Sequence, residues 1–497
     1  MTYSGSLFGS TFSPPTPNGD FHLGHFAGPV LGSDICARAL RRAGAHTRYI
    51  CSTDDNQTYV VTTADRMGVD PTDLLNSAYR DTTTSLQLAG ISVDGYHQTD
   101  IQYNAFVAHF LTELHGQGAF DLATIMLPFD TTANRFLTEA FVTGRCPHCL
   151  AAARAGVCEA CGLYNLPDAL LPTHLQPAWE LRPAQVWMLD LERHRALVLE
   201  ELDSHHTAGR DSLRRVIAES LRNGPLPQIP ITYPIDWGIP VQWGGVEGVI
   251  NAWPEIFVGH LYWLGLSGKN AEPMTELIQF IGIDNGFYNA FVYSALAGLA
   301  RRGGVADPPR RRTITNNYLQ LGGRKFSTSK GDVIWAGDFL REVGRDRARF
   351  VLALKAPDYQ NAEFTRTTAL ETLDERFDKP LRALSEAFVV HPPELDAERG
   401  TTPHAWWFRA SAASRSRFDE AYAPATFSIR AAAEAVALHV ETLALGYTTR
   451  DLSSPGEMAG AMQFYRELGE FAAPVVPDLA ESIAMLFSER LVDAANH

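Results

Sequence analysis

The sequence predicts an α/β protein: a parallel sheet with helical crossovers, interrupted by a cysteine-bearing insertion and followed by an all-helical domain. Three observations lead there. In the first hundred residues short apolar runs alternate with helical patterns, the rhythm of a parallel sheet with crossovers. Residues 115–225 break that rhythm and carry four of the six cysteines, before it resumes at "PIDWGIPV" and runs to about residue 345. Beyond "KAPDYQNAEFT" the chain reads as Ala-rich amphipathic helices such as "FSIRAAAEAVALHVETLAL".

Taken in order, "HLGHFAGPVLGSDICARALRRAG" has apolar positions near helical spacing and Gly44 as its stop. "TRYICSTDD" reads as a buried strand ending in acids, and "DPTDLLNSAYRDTTTSLQLAG" as a capped helix. The insertion ends in a charged helical stretch, and "HPPELDAERGTTPH" is a loop within the carboxy-terminal helices. The 497 residues are 45% hydrophobic and 20% charged, ordinary values for a globular protein. No window of eighteen apolar residues and no amino-terminal leader pattern occur, so a cytoplasmic location without a membrane role is expected. The net charge of -15 argues against general adhesion to nucleic acid or anionic lipid. Only five lysines stand among 42 basic residues, so two of them five positions apart need an explanation.

Those two, Lys325 and Lys330, flank Ser327, Thr328 and Ser329 in "GGRKFSTSKGD", a polar run between glycines suited to folding over phosphates. Taken alone it also reads as a solvated turn. Some three hundred residues earlier, "PPTPNGDFHLGH" delivers His22 and His25 stiffly to a helix start, where free N–H groups and the helix dipole favour an anion. Gly24 between them would let a flat base lie against the backbone. A lone His-x-x-His pair is more often structural, so it needs the distant lysines as partner. In "CPHCLAAARAGVCEAC", Cys146, Cys149, Cys158 and Cys161 form two Cys-x-x-Cys pairs spaced for one tetrahedral structural Zn²⁺; two disulfides are the alternative, disfavoured in a cytosolic chain. Cys36 and Cys51 are apolar-flanked and read as buried.

"HLGH" followed far downstream by "KFSTSK" resembles the paired signature of class I aminoacyl-tRNA synthetases. "PNGDFHLGH", "GISVDGYHQTD", the four-cysteine knuckle, "DWGIPV", "FIGIDNGFYNAF" and "KAPDYQNAEF" occur in the order found in methionyl-tRNA synthetases. The resemblance covers about residues 8–365 well. It implies a Rossmann-like catalytic domain over 1–114 and 226–345, split by an inserted connective domain over 115–225, with a linker over 346–370 and a degenerate anticodon-binding bundle over 371–497. It implies ATP-dependent activation of an amino acid with release of pyrophosphate, with Mg²⁺ accompanying ATP. His22 and His25 would contact the α-phosphate, Lys325 and Lys330 the pyrophosphate, and Gly282 and Asp284 of "FIGID" the ribose, within an ATP site shared with Gly24, Ser327, Thr328 and Ser329.

The departures from that family bear on substrate. Pro14, Pro15, Thr16, Pro17, Asn18 and Gly19 replace a Leu-Pro-Tyr-Ala-Asn-Gly segment, so a pocket tyrosine becomes Thr16. Ile250 stands for the pocket tryptophan, Pro254 is kept, Phe257 replaces tyrosine, and Asn289 replaces a methionine-facing histidine. Asp54 matches the acid that receives the α-ammonium. Tyr233 is nearest to an arginine that is lost. Losing two aromatic walls and a histidine weakens a thioether pocket. On the first carboxy-terminal helix Arg382 and Glu386 replace the family's Asn and Arg base readers, and "TTRDLSSPGEM" lacks its tryptophan; Trp406 and Trp407 are either a substitute or core. The expectation is therefore an amino-acid-activating ligase with altered specificity and a non-tRNA acceptor, a small molecule or a partner protein such as a cupin in specialised metabolism. The alternatives are a working methionine–tRNA ligase and an inactive RNA-binding or regulatory paralogue.

Overall fold

A computed structural model describes residues 3–171, 179–204, 210–266, 272–326, 333–395, 397 and 401–495. Five parallel strands form the main sheet in the spatial order Arg311–Asn316, Glu276–Gly282, Leu7–Phe12, His46–Ser52, Gly95–His97. Its first strand lies in the middle, and the chain runs outward to one side and then to the other. The reversal opens a crevice at the carboxyl ends of Leu7–Phe12 and Glu276–Gly282, where open α/β sheets bind ligands. The two strands are held in register from Phe8 opposite Glu276 to Phe12 opposite Phe280.

The segment following the first strand starts its helix at Leu23, widens into a π-turn at Phe26–Val30 around Pro29, and continues as Leu31–Arg42. Pro29 has no N–H to give, so the wider turn is where the ladder breaks. Gly44 follows with φ 85°, the left-handed stop that its place in the sequence predicts. "TRYICSTDD" supplies the strand His46–Ser52, and Asp70 caps Pro71–Leu88 by accepting from the Thr72 and Asp73 N–H groups.

The inserted region is built on a four-stranded sheet ordered Gln228–Pro230, Trp179–Asp190, Asp121–Asp130, Arg135–Phe136. That sheet extends past residue 225, since Gln228–Pro230 pairs with the end of Trp179–Asp190. The cysteine knuckle hangs from it on two short hairpins, Thr143–Arg145 with Ala152–Arg154 and Gly156–Val157 with Tyr164–Asn165.

After residue 365 the described residues form helices from Arg366–Leu373 to Pro477–Ala495 joined by turns, and His391–Leu395 is non-helical. These helices share one apolar core with the sheet: Phe280, Leu31 and Ile35 belong to the same buried cluster as Phe427, Val436 and Phe471. A buried ion pair crosses the same junction, Arg349 Nη2 to Asp34 Oδ2 at 2.7 Å, with Arg349 also donating to the carbonyls of Ala89, Pro474 and Val475. Among the described residues no helix is long and apolar enough to cross a membrane.

Candidate active site

A cavity of about 1020 Å³ opens at the crevice of the main sheet. His22 is the N-cap of the short helix, and its Nδ1 accepts from the His25 backbone N–H at 3.2 Å. The two imidazoles stack at 3.7 Å and 12°. Gly24 makes this possible: a Cβ there would lie 2.9 Å from His22 Cε1. The room left by Gly24 is therefore filled by the His22 ring, whereas the sequence suggested it was kept for a base. Burial, with the other ring and Lys325 adding to it, holds His22 well below the ordinary histidine range; burial and Lys325 bring His25 down to about 4. Both rings are neutral near pH 7, and His25 Nδ1 is buried with no partner.

The lysine strand arrives from the other side. Phe326 stacks on His22 at 5.8 Å and 24°, so the two signatures meet across the cavity mouth. Lys325 Nζ lies 2.9 Å from Asp284 Oδ2 and 3.1 Å from Glu159 Oε2. Burial opposes the charge of Lys325, but the two carboxylates raise it above the ordinary lysine value; burial likewise opposes ionisation of Asp284, and Lys325 holds it below the usual carboxylate range. Gly282 is needed for this turn, because a Cβ would sit 2.4 Å from Asp284 Oδ1. Ser327, Thr328, Ser329 and Lys330 lie outside the described residues.

Asp54 enters the cavity from the end of His46–Ser52. Its Oδ2 is 3.5 Å from Gln57 Nε2 and its Oδ1 is buried without a partner. Burial, then Asp55 and Glu139, push it up to about 8. Glu139 lines the same cavity on a turn with φ 38°, buried, one carboxylate oxygen unpartnered, and pushed up by burial to about 7. An ammonium group would supply the charge that these acids lack.

Pro14, Thr16, Asp54 and Asn289 all line the cavity; Ile250, Pro254 and Phe257 do not. The reason is helical phase. Asn251 caps the helix Ala252–Trp263, which turns Phe257 into the second apolar core alongside Ile250 and buries Pro254. Trp253, Ile256 and His260, one face at spacings of three and four, line the cavity instead. The aromatic wall counted as lost is present in another form, with Trp253 stacked on Tyr288 at 3.8 Å and 8°. Asn251 and the apolar run after it form a helix-start signal that finds these residues.

The four cysteines are free thiols whose sulfurs lie within 4.8 Å of one another, with Cys146 to Cys161 and Cys149 to Cys158 each at 3.7 Å. Thiolates about 2.3 Å from one tetrahedral Zn²⁺ stand roughly 3.8 Å apart, so the set fits the metal and leaves no position open for a substrate.

With this geometry in view, the family profile of class I tRNA synthetases (M) matches residues 11–383, three quarters of the chain and the whole of the site. The chain belongs to that family. The chain is 26% identical to the methionine–tRNA ligase of Chlorobium luteolum over 95% of its own length and 72% of the relative's. It is 29% identical to that of Chlorobium chlorochromatii and 27% to that of Bacteroides fragilis, each over 71% of its length. It spans about half of those two, 53% and 54%. The Mycobacterium tuberculosis methionyl-tRNA synthetase in complex with methionyl-adenylate shares its fold, with a TM-score of 0.73 at 17% identity, covering 96% of this chain and 93% of that one.

In the carboxy-terminal helices, Trp407 is buried and donates from Nε1 to Glu457 Oε2 at 2.8 Å, so it is core. Trp406 packs edge-on against it under Arg450. Arg382 is paired with Asp374 at 2.8 Å.

Proposed function

We propose that the chain joins an amino acid to ATP, forming an aminoacyl-adenylate and releasing pyrophosphate. The observation that carries this reading is the meeting of Lys325 with Asp284 at 2.9 Å beside the stacked His22–His25 pair, in one cavity. The amino-acid carboxylate oxygen attacks the α-phosphorus; the bond to the bridging oxygen breaks and its electrons leave with pyrophosphate. Negative charge grows on the phosphate oxygens, where preorganised donors act most strongly. The neutral imidazoles offer N–H donors at the α-phosphate, the Lys325 ammonium faces the leaving group, and Asp284 is placed for the ribose hydroxyls. Asp54 would hold the α-ammonium. Mg²⁺ travels with ATP as part of the substrate.

Amino-acid-dependent exchange of labelled pyrophosphate into ATP tests this directly. Exchange with at least one amino acid, abolished in His25→Ala, is the expected result. No exchange with any amino acid, with or without tRNA, would overturn it and leave a binding or regulatory role.

The acceptor has two readings. The names of the relatives support methionine and tRNA. The burial of Trp407, which takes it out of reach of a base, favours an acceptor other than tRNA, a small molecule or a partner protein such as a cupin. Charging of a methionine tRNA transcript, run beside hydroxamate formation with hydroxylamine, separates them: charged tRNA selects the first, hydroxamate without charging the second.

A further inference from the structure

The deep end of the cavity holds a chain of side-chain hydrogen bonds that adenylate formation leaves unused. Arg311, which can only donate, has Nη1 2.8 Å from the Asn289 carbonyl oxygen and 3.4 Å from Asn289 Oδ1. Thr313 Oγ1 donates to the same Oδ1. The Asn289 amide is thereby oriented, and its Nδ2 donates to Gln279 Oε1 at 3.1 Å. With its oxygen taken, Gln279 presents Nε2 to His260 Nδ1 at 3.1 Å. Each bond fixes the direction of the next, and the chain ends with His260 accepting at Nδ1.

Burial, reinforced by Arg311, brings His260 down to about 4, so the ring is neutral. A neutral imidazole that accepts at Nδ1 carries its proton on Nε2. That Nε2 is buried and has no partner among the described residues. A buried N–H without an acceptor is rare and unfavourable, and His260 lines the cavity.

We infer that His260 is a specificity residue whose Nε2–H donates to an oxygen at the tip of the substrate side chain, so that the amino acid activated ends in a hydroxyl, carboxamide or carboxylate. The inference rests on the adenylate-forming reading above. The cavity supplies a separate anchor for each end of such a molecule: Asp54, with a carboxylate oxygen unpartnered, and His260, with a donor unpartnered. Trp253 and Ile256, on the face of the helix that carries His260, wall the space beside it. A thioether sulfur is a weak acceptor and a hydrocarbon tip none, so either leaves the donor poorly satisfied. Sites built around a hydrogen bond discriminate against such analogues far more than a missing methylene allows.

The test is pyrophosphate exchange by the full chain across methionine, norleucine, alanine, serine, threonine, asparagine, glutamine, aspartate and glutamate. The expected result is that an oxygen-bearing amino acid leads in kcat/KM, with methionine and norleucine lower by about tenfold to a hundredfold. His260→Phe, retaining a ring without the donor, is expected to lose most of that difference through KM rather than kcat. The wild-type ranking stands as the test even where the variant fails to fold. Fastest exchange with any side chain lacking oxygen, or an unchanged ranking in a folded His260→Phe, overturns the inference while adenylate formation stands. Absence of exchange with every amino acid removes both.

Discussion

Glu159, held between two cysteines of the knuckle, stands 3.1 Å from the ammonium of Lys325, which is at the same time 2.9 Å from Asp284. A loop of the inserted region therefore reaches the lysine carried by the short strand Arg324–Lys325. Tyr318 strengthens the tie, its hydroxyl donating to the Glu159 carbonyl at 3.2 Å while its ring lies under Lys325.

The two partners of Lys325 differ in exposure. The Glu159 side chain is 63% exposed, so its pair is worth little, whereas that of Asp284 is 25% exposed. Glu159→Gln is expected to leave pyrophosphate exchange within a few-fold of wild type. Lys325→Met is expected to lower kcat by about 10²–10³, the usual loss for one preorganised charge at a reacting oxyanion. Steady-state exchange kinetics on both variants decide it, with melting temperature as the control for folding.

Metal content gives a second test. One zinc per chain is expected by atomic absorption, falling to near zero in Cys158→Ser. Because the backbone carbonyl of Glu159, between the ligands Cys158 and Cys161, holds Tyr318 under Lys325, chelation should lower exchange as well as melting temperature. Full activity after the metal is stripped would show that the knuckle does not steady the lysine.

The pH dependence of stability has a sign that can be worked out. Asp54 and Glu139 titrate at about 8 and about 7 in the folded chain, against about 4 for free carboxyls. The folded state binds more protons across that window, so stability is lost as pH rises through it. His25, His260 and His439, each brought down to about 4, act in the opposite sense, but only between that value and about 6.5. From pH 6.5 to 8 the histidines no longer contribute, and Asp54 and Glu139 act in the same sense as Glu255, which burial raises well above its ordinary value. The ligand-free protein is expected to lose up to about 1.4 kcal/mol per pH unit for each acid there, measured by urea unfolding. Asp54→Asn should flatten the curve; an unaltered slope would mean that Asp54 ionises normally.

The Arg349–Asp34 pair is fully buried. Arg349→Met leaves Asp34 inside without its strongest partner and should destabilise the chain by about 3–5 kcal/mol in urea. Adding Asp34→Asn should recover a large part of that loss. If the double variant is no better than the single one, the lost hydrogen bonds to Pro474 and Val475, not the stranded charge, account for the loss.

Much of the site is legible in the chain because its polar groups sit at turns that announce themselves. His22 and His25 follow a proline-stiffened approach, Gly282 and Asp284 share a glycine turn, and the cysteines keep metal-ligand spacing. Trp253 and His260 are harder to find. A linear comparison pairs Ile250 and Phe257 with pocket positions, whereas Ile250 ends the strand Val246–Ile250 in the core, and the helix begun by Asn251 rotates Phe257 there too and brings residues 253, 256 and 260 round to the cavity. Glu139 and Glu159 give no local signal at all: their placement depends on hairpins hung from a sheet whose strands come from as far along the chain as Gln228–Pro230.

The single apolar core running from Phe280 into Phe427 and Phe471, clasped by Arg349, makes the carboxy-terminal helices a structural necessity as well as an attachment. Deleting them would strip the back of the very sheet that presents the histidines. A lineage in which those helices ceased to read an anticodon could change every exposed letter of them and still be unable to discard them, so their persistence is no record of what they once bound.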